Sequence, residues 1–114
     1  MSKHGLNSDI AVLCGEITAL AVLITNNSET DVFVKFSGHV KYFEVDIHLN
    51  GWKPNSSADT EDVINLKDKP SRVIKNLKTI KHYLIKLARG QKINFAYLPY
   101  TVEEVRHYSL TCDG

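Results

Sequence analysis

Three side chains that can bind metals or transfer protons alternate along one short segment: Glu44, Asp46 and His48. In a β-strand, alternate residues point to the same face, with neighbours about 6.6 Å apart. Two carboxylates and an imidazole are a reasonable ligand set for a divalent ion. The same alternation also marks the solvent side of an antiparallel sheet, and only His82 could extend a nuclease-like site onto a helix. We therefore expect a binding surface without a metal, a cofactor or catalysis.

These residues belong to a predicted β-hairpin, with strands over 31–36 and 39–49. Ser37 and Gly38 between the strands are typical of a two-residue hairpin turn, in which glycine tolerates a positive φ. Apolar and polar residues alternate along both strands, which is the pattern of a sheet with one buried face. The predicted inner row consists of Val32, Val34, Phe36, Phe43, Val45, Ile47 and Leu49.

A two-residue turn also determines the register of the hairpin. It pairs Phe36 with His39 and Val32 with Phe43, which puts both apolar rows on one face. The other face then combines aromatic and charged residues, as protein-recognition surfaces do. We predict that it binds a protein partner through Phe33, Tyr42, Glu44, Asp46 and His48. The alternative is that the C-terminal tail, residues 91–114, covers these rings.

The segment before the hairpin predicts a helix over about 8–25, with Ser8 as its N-cap, and residues 1–7 are expected to be disordered. Apolar residues occupy most of its circumference, so either the domain wraps it or a second subunit covers the remainder. Glu16 interrupts the apolar run, which is shorter than the ~20 residues of a membrane helix, and no signal-peptide cleavage site follows. We expect a cytoplasmic protein without membrane contact, either monomeric or a homo-oligomer such as a homodimer.

The segments after the hairpin predict a third antiparallel strand over 61–66 and a helix over 70–89. Asp68 is the candidate cap of this helix and Gly90 follows its end. A capping-box pattern in the tail predicts a short last helix over 102–110. A small antiparallel sheet needs a cover on its apolar face. We therefore predict a single domain of all 114 residues, an α+β two-layer sandwich in the order α-β-β-β-α-α.

Charge is distributed unevenly, although the formal net charge of the chain is only +1. The segment 67–92 contains nine basic residues and one acid, a net charge of +8, so the remainder carries −7. Four basic residues and a histidine of the second helix form one ridge: Lys75, Lys78, His82, Lys86 and Arg89. Such a ridge can follow a phosphate backbone, and its alternative is a solvated helix face. Nucleic acid is thus the second candidate partner.

Other catalytic signatures are absent from the sequence. No Gly-rich phosphate loop occurs, and Ser37 lies at a predicted turn rather than on a nucleophile elbow. Cys14 is predicted to be buried and unreactive. Together with Cys112 it makes only two cysteines, which we expect to be free thiols. The sequence therefore predicts a non-enzymatic binding protein.

A resemblance adds to this prediction. The element order and the run Asp31–Val40, which reads DVFVKFSGHV, resemble small phage- or prophage-encoded accessory proteins. The resemblance covers about the first half of the chain and leaves out the basic ridge and the tail. It implies a helix paired with a twisted hairpin that acts by binding a host protein, and it assigns no role to any single residue.

Overall fold

The structure is a computed structural model that describes the backbone of residues 3–92 and the side chains of residues 8–92. Its elements, in chain order, are α1 (Lys3–Asn27), β1 (Asp31–Ser37), β2 (Tyr42–His48), β3 (Thr60–Asn65) and α2 (Pro70–Gly90). The strands form one antiparallel sheet in the order β1-β2-β3, and the helices pack on it and on each other. The predicted α+β fold is confirmed over this part of the chain. The helix predicted over 102–110 lies outside the described residues.

The hydrophobic core lies between the two helices and one face of the sheet. Its most deeply buried large side chains come from three elements: Ile17, Leu20, Ile24, Val45, Ile47, Val73, Leu77, Leu84 and Ile85. Burying a side chain of this size stabilises the fold by roughly 1.5–3 kcal/mol. On α2 the buried positions follow the predicted helical spacing, although Leu87 is only partly buried.

Helix α1 is longer than predicted. It begins at Lys3, so Ser8 lies inside the helix and is not its N-cap. Between Lys3 and Ser8 only Gly5 disfavours a helix, at a cost of about 1 kcal/mol relative to alanine, which a long helix tolerates. Its end at Asn27 is close to the predicted end. There the Ser28 hydroxyl donates a 2.7 Å hydrogen bond to the carbonyl oxygen of Ile24.

Residues Ser8–Asn27 of α1 are long and apolar enough to cross a membrane by length and composition. The prediction that this run is too short for a membrane helix is therefore wrong. Within the domain, 39% of the apolar window is buried, and Ile17, Leu20 and Ile24 are completely buried. The opposite side remains open, with Val12 59% and Val22 54% exposed. A second subunit on that side stays a prediction.

The predicted turn and register of the hairpin are wrong. Phe36 pairs with Phe43 rather than with His39, a shift of four residues. Four residues, 38–41, connect the strands, and the left-handed conformation falls on Lys41 (φ 58°) instead of Gly38. Because side chains alternate with a period of two, a shift by four leaves every residue on its predicted face. The faces were therefore predicted correctly from an incorrect turn.

The apolar row of the hairpin is buried unevenly. Phe43 and Ile47 are each 2% exposed, as expected for the inner face. Phe36, beside the turn, is 63% exposed, and Leu49 after β2 is 38% exposed. Alternation assigns a side chain to a face, but it does not say how far along the strand the helices extend.

Strand β3 confirms the predicted third strand, and Pro70 begins α2 as predicted. The cap of α2 differs from the prediction, because the N-cap is Lys69 and not Asp68. Asp68 instead accepts a 2.7 Å hydrogen bond from the backbone N–H of Lys69 and pairs with Arg72 at 3.3 Å. Both interactions favour its charged form, the backbone bond most, and lower the pKa of the Asp68 carboxyl. Gly90 is the last helical residue rather than the first one past the end.

Candidate functional site

The sheet face turned away from the helices, here the outer sheet face, collects side chains from all three strands. It consists of Asp31, Phe33, Lys35, Ser37, Tyr42, Glu44, Asp46, His48, Glu61, Val63 and Asn65. All five residues predicted to bind a protein lie on it. The register also brings Lys35 opposite Glu44 and Glu61 opposite Asp46. Neither residue was among the predicted site residues, because the predicted register paired Lys35 with Val40 and no register was predicted for the third strand.

The five predicted residues are not equally accessible. Phe33 is 40% and Tyr42 43% exposed, whereas Asp46 is only 9% and His48 only 7% exposed. The edge of the Phe33 ring faces the His48 ring, with centroids 5.4 Å apart and planes at 84°. Both buried residues lie on β2, the central strand, where neighbours on each side shield them. The prediction of a solvent-facing row is therefore wrong for Asp46 and His48.

Lys35 is the positive charge that faces this row. Its Nζ lies 4.0 Å from Oε2 of Glu44 and 3.8 Å from Oδ2 of Asp46. Charge-assisted N–H···O hydrogen bonds are about 2.7–2.9 Å long, so these contacts are long. The Lys35 side chain is also 67% exposed, and exposed ion pairs contribute only about 0–1 kcal/mol. Lys35 therefore neutralises the two carboxylates only in part.

The pKa of the Glu44 carboxyl is raised above its ordinary value of 4.5. The main cause is a hydrogen bond with the Asp46 carboxyl, which requires a proton on one of the two groups. Partial burial and the charge of Asp46 act in the same direction, and Lys35 opposes them. Glu44 and Asp46 thus form a carboxyl pair that retains a proton more readily than an isolated glutamate.

This pair predicts that stability changes with pH. Because the folded protein binds the Glu44 proton more tightly than the unfolded chain does, stability falls as pH rises from about 4.5 through the raised pKa. We expect Glu44→Gln to flatten this part of the stability profile and to be more stable than the wild type at neutral pH. Lys35→Met should extend the decline to higher pH, because it removes the opposing cation. Urea unfolding between pH 4 and 8 measures both effects, and a Glu44→Gln profile parallel to that of the wild type would contradict the assignment.

We next asked whether the described residues include a metal-ligand cluster or a reactive thiol. Among them, no group of three or more His, Cys, Asp or Glu side chains is placed to hold a metal ion. Cys14 is half-buried, and burial raises the pKa of its thiol to about 11. A thiol with such a pKa is almost fully protonated at neutral pH and a poor nucleophile, in agreement with the sequence analysis.

Two grooves flank the sheet. One, with a volume of about 240 Å³, lies between α1 and β1, and only uncharged residues line it. The other, of about 290 Å³, lies between β3 and α2 and contains a single charged side chain, Asp62. Ligand pockets usually measure about 300–1,000 Å³ and bring several polar groups together. Both grooves contain polar residues but are smaller than this range, so the exposed surfaces of the described residues are the better candidates.

The basic ridge of α2, defined above by Lys75, Lys78, His82, Lys86 and Arg89, forms one side of the helix. Its four cationic residues are exposed and His82 is partly buried. From Lys75 to Arg89 it is about 21 Å long at 1.5 Å per residue. His82, Lys86 and Arg89 also make interactions within the protein. The structure therefore brings the five predicted residues together and engages three of them internally.

Lys81 differs from the other basic residues of this helix. Its side chain is 3% exposed, and its Nζ lies 2.9 Å from Oε2 of Glu16 on α1, itself 17% exposed. The pair is short and well shielded, and it links the two helices directly. The sequence analysis made no prediction for Lys81, and its partner could not be inferred from helical spacing.

The chain matches no protein-family model, and neither a curated protein nor a solved structure shows significant similarity to it. The resemblance of its first half to phage-encoded accessory proteins therefore stays a prediction.

Proposed function

We propose that this chain is a small, non-enzymatic, cytoplasmic accessory protein that acts by binding another protein through its outer sheet face. The resemblance of the first half to phage- or prophage-encoded proteins supports a role of this kind. In that role the fold is a rigid support, and the two helices hold the sheet from behind. The surface that recognises the partner is then built on regular strands, which keep their shape on binding.

One observation carries this proposal. Three apolar side chains, Phe33, Tyr42 and Val63, are 40%, 43% and 56% exposed on the same face that contains the Glu44–Asp46 carboxyl pair. In the register Val63 lies diagonally beside Tyr42, and Phe33 lies opposite Asp46, on the other side of Glu44. Exposed apolar side chains on all three strands, set around polar ones, are typical of an interaction surface. Aromatic residues also contribute strongly to binding energy in protein interfaces.

Site-specific photo-crosslinking tests the proposal. A benzophenone amino acid is placed at Tyr42, and in a matched chain at Tyr83 on α2, which has nearly the same exposure, 42%. In cells that produce the protein, we expect the Tyr42 probe to form an adduct with another protein and the Tyr83 probe to form much less. Introducing Val63→Arg on the same face should reduce the Tyr42 adduct. Equal yields from both positions, or no adduct from Tyr42, would refute the proposal.

Nucleic-acid binding through the basic ridge is the second candidate function. The observation that favours it is the exposure of Lys75, Lys78, Lys86 and Arg89 along one side of a single helix. A ridge that neutralises phosphates releases counterions, so its affinity depends steeply on salt. Three internal interactions along the ridge make this candidate the weaker of the two.

Salt dependence distinguishes a functional ridge from a solvated one. If four side chains neutralise phosphates, the logarithm of the affinity for duplex DNA should fall with the logarithm of salt concentration with a slope of about −3.6. Replacing Lys75, Lys78 and Lys86 with glutamate should abolish binding. Fluorescence anisotropy with mixed-sequence DNA and RNA measures both effects.

The control for this experiment reverses three exposed charges elsewhere, at Lys41, Lys53 and Lys67. It changes the net charge by the same amount but leaves the ridge intact, so most of the binding should remain. Equal losses in both triple variants would indicate a general charge effect, and no binding at low salt would exclude this candidate.

A further inference from the structure

The carboxyl pair on the outer sheet face is incompletely neutralised by the residues that the structure describes. Lys35 approaches Glu44 and Asp46 no closer than 3.8 Å, whereas the Glu16–Lys81 contact in the same protein is 2.9 Å long. Among residues 8–92, a short ion pair joins the two helices, whereas the ion pairs on the outer sheet face are longer. The exposed Lys35 ammonium can leave this position at little cost.

Asp46 provides a second, independent observation. The residue is 9% exposed, and its Oδ1 is buried without a hydrogen-bond partner in the described part of the chain. Leaving a buried acceptor unsatisfied costs roughly 1–3 kcal/mol, and more for a charged group. Buried polar atoms in native proteins nearly always have a partner. An incoming donor that reaches this oxygen would remove that cost.

The aromatic side chains on this face indicate the shape of the donor. Phe33 and Tyr42 are about two-fifths exposed and lie on the same face as the two carboxylates. A guanidinium group is flat, donates several hydrogen bonds in a fixed geometry and stacks on aromatic rings. An ammonium group is a compact point charge that lacks the flat surface. Adjacent carboxylates beside aromatic rings therefore suit arginine better than lysine.

We propose that the protein partner presents an arginine side chain to the outer sheet face, where its guanidinium binds Glu44 and Asp46 and displaces Lys35. This inference rests on the proposed function and specifies the chemistry of the partner. The arginine makes the short hydrogen bonds that Lys35 does not make, and its flat group packs against the neighbouring rings.

Binding of the arginine is coupled to the protonation of the carboxyl pair. In the register Glu44 lies opposite Lys35 on β1 and Val63 on β3, and Asp46 lies opposite Glu61. With Asp31, opposite His48, the face has four carboxylates, one histidine and one lysine among the described residues. The carboxyl pair retains a proton readily, and a guanidinium binds the fully ionised pair best. Arginine binding therefore releases a proton in the pH range where the pair is partly protonated, and affinity rises with pH across that range.

A displayed library of random dodecapeptides, selected on the full chain, tests the inference without knowledge of the natural partner. We expect the selected peptides to contain arginine and to lose at least tenfold in affinity when it is replaced by citrulline, its uncharged analogue. The double variant Glu44→Gln/Asp46→Asn should show a similar loss, and Lys35→Met should bind more tightly.

Titration calorimetry in two buffers of different ionisation enthalpy detects the released proton. Asp62→Asn is the control. It removes a carboxylate from β3 that lies off the outer sheet face, so this variant should bind as the wild type does.

The outcomes separate the inference from the proposed function. Val63→Arg obstructs the outer sheet face and removes no carboxylate, although its guanidinium lies opposite Glu44 in the register and also competes for the carboxyl pair. Peptides that lose binding to Val63→Arg but bind equally well with lysine or citrulline in place of arginine would overturn the inference and leave the proposed function standing. A library that yields no binder, or only binders unaffected by Val63→Arg, would overturn both. Circular dichroism of each variant ensures that losses do not reflect unfolding.

Discussion

Replacing Lys81 with alanine is expected to lower the free energy of unfolding by about 3–5 kcal/mol. The substitution leaves the Glu16 carboxylate, only 17% exposed, without the ammonium group that now lies 2.9 Å away. An uncompensated buried charge is among the most destabilising changes in a small domain, whose total stability is only about 5–15 kcal/mol. Urea unfolding followed by far-ultraviolet circular dichroism at neutral pH measures the loss.

Two further variants distinguish loss of the ion pair from general effects on α2. Lys78→Ala removes an exposed lysine from the same helix and should change stability by no more than about 0.5 kcal/mol. The double replacement Glu16→Leu with Lys81→Met exchanges the pair for apolar side chains and should restore most of the wild-type stability or exceed it. If Lys81→Ala costs less than about 1 kcal/mol, water must hydrate the Glu16 carboxylate, and the pair does not link the helices energetically.

The second large effect is expected at Leu20 of α1. Leu20 is completely buried, and Leu→Ala at such a site costs roughly 2–5 kcal/mol, because apolar contacts are lost and a cavity remains. The same helix is apolar and long enough to cross a membrane. A large loss of stability in aqueous solution would be the energetic signature of a core helix.

Val22→Ala is the matched control, since Val22 lies two residues away on α1 and is 54% exposed. It should cost no more than about 0.5 kcal/mol in a monomer. A loss at Val22 that grows with protein concentration would instead show that a second subunit covers this side, as the predicted homo-oligomer requires. Measuring both variants at two concentrations by urea unfolding therefore tests the core position and the exposed side together.

Much of the fold follows from patterns in the sequence. The alternation in β2 predicts its inner residues Val45 and Ile47, and the spacing on α2 predicts Val73, Leu77 and Leu84, all of them buried. These patterns are reliable because burial of one face repeats at the period of the backbone, two residues in a strand and 3.6 in a helix. The same periodicity predicted that the five ridge residues share one side of α2.

The register of the hairpin could not be obtained in this way. A pairing shifted by four residues gives the same faces, so alternation cannot distinguish it from the observed one. Turn composition favoured Gly38, since glycine accepts a positive φ without strain, yet Lys41 adopts that conformation. Lengthening a loop by two residues costs only a fraction of a kcal/mol in closure entropy, and packing over the whole sheet outweighs this difference.

The candidate site depends on that register. The sequence alone determined the faces of the strands and the helical stripes, because each follows from local periodicity. Tertiary structure decided that Lys35 meets Glu44 and Asp46, that Asp46 and His48 are buried and that Glu16 reaches Lys81. These contacts join residues from different strands or helices, and their distances are set by how the elements pack. Periodicity within one segment carries no information about that packing.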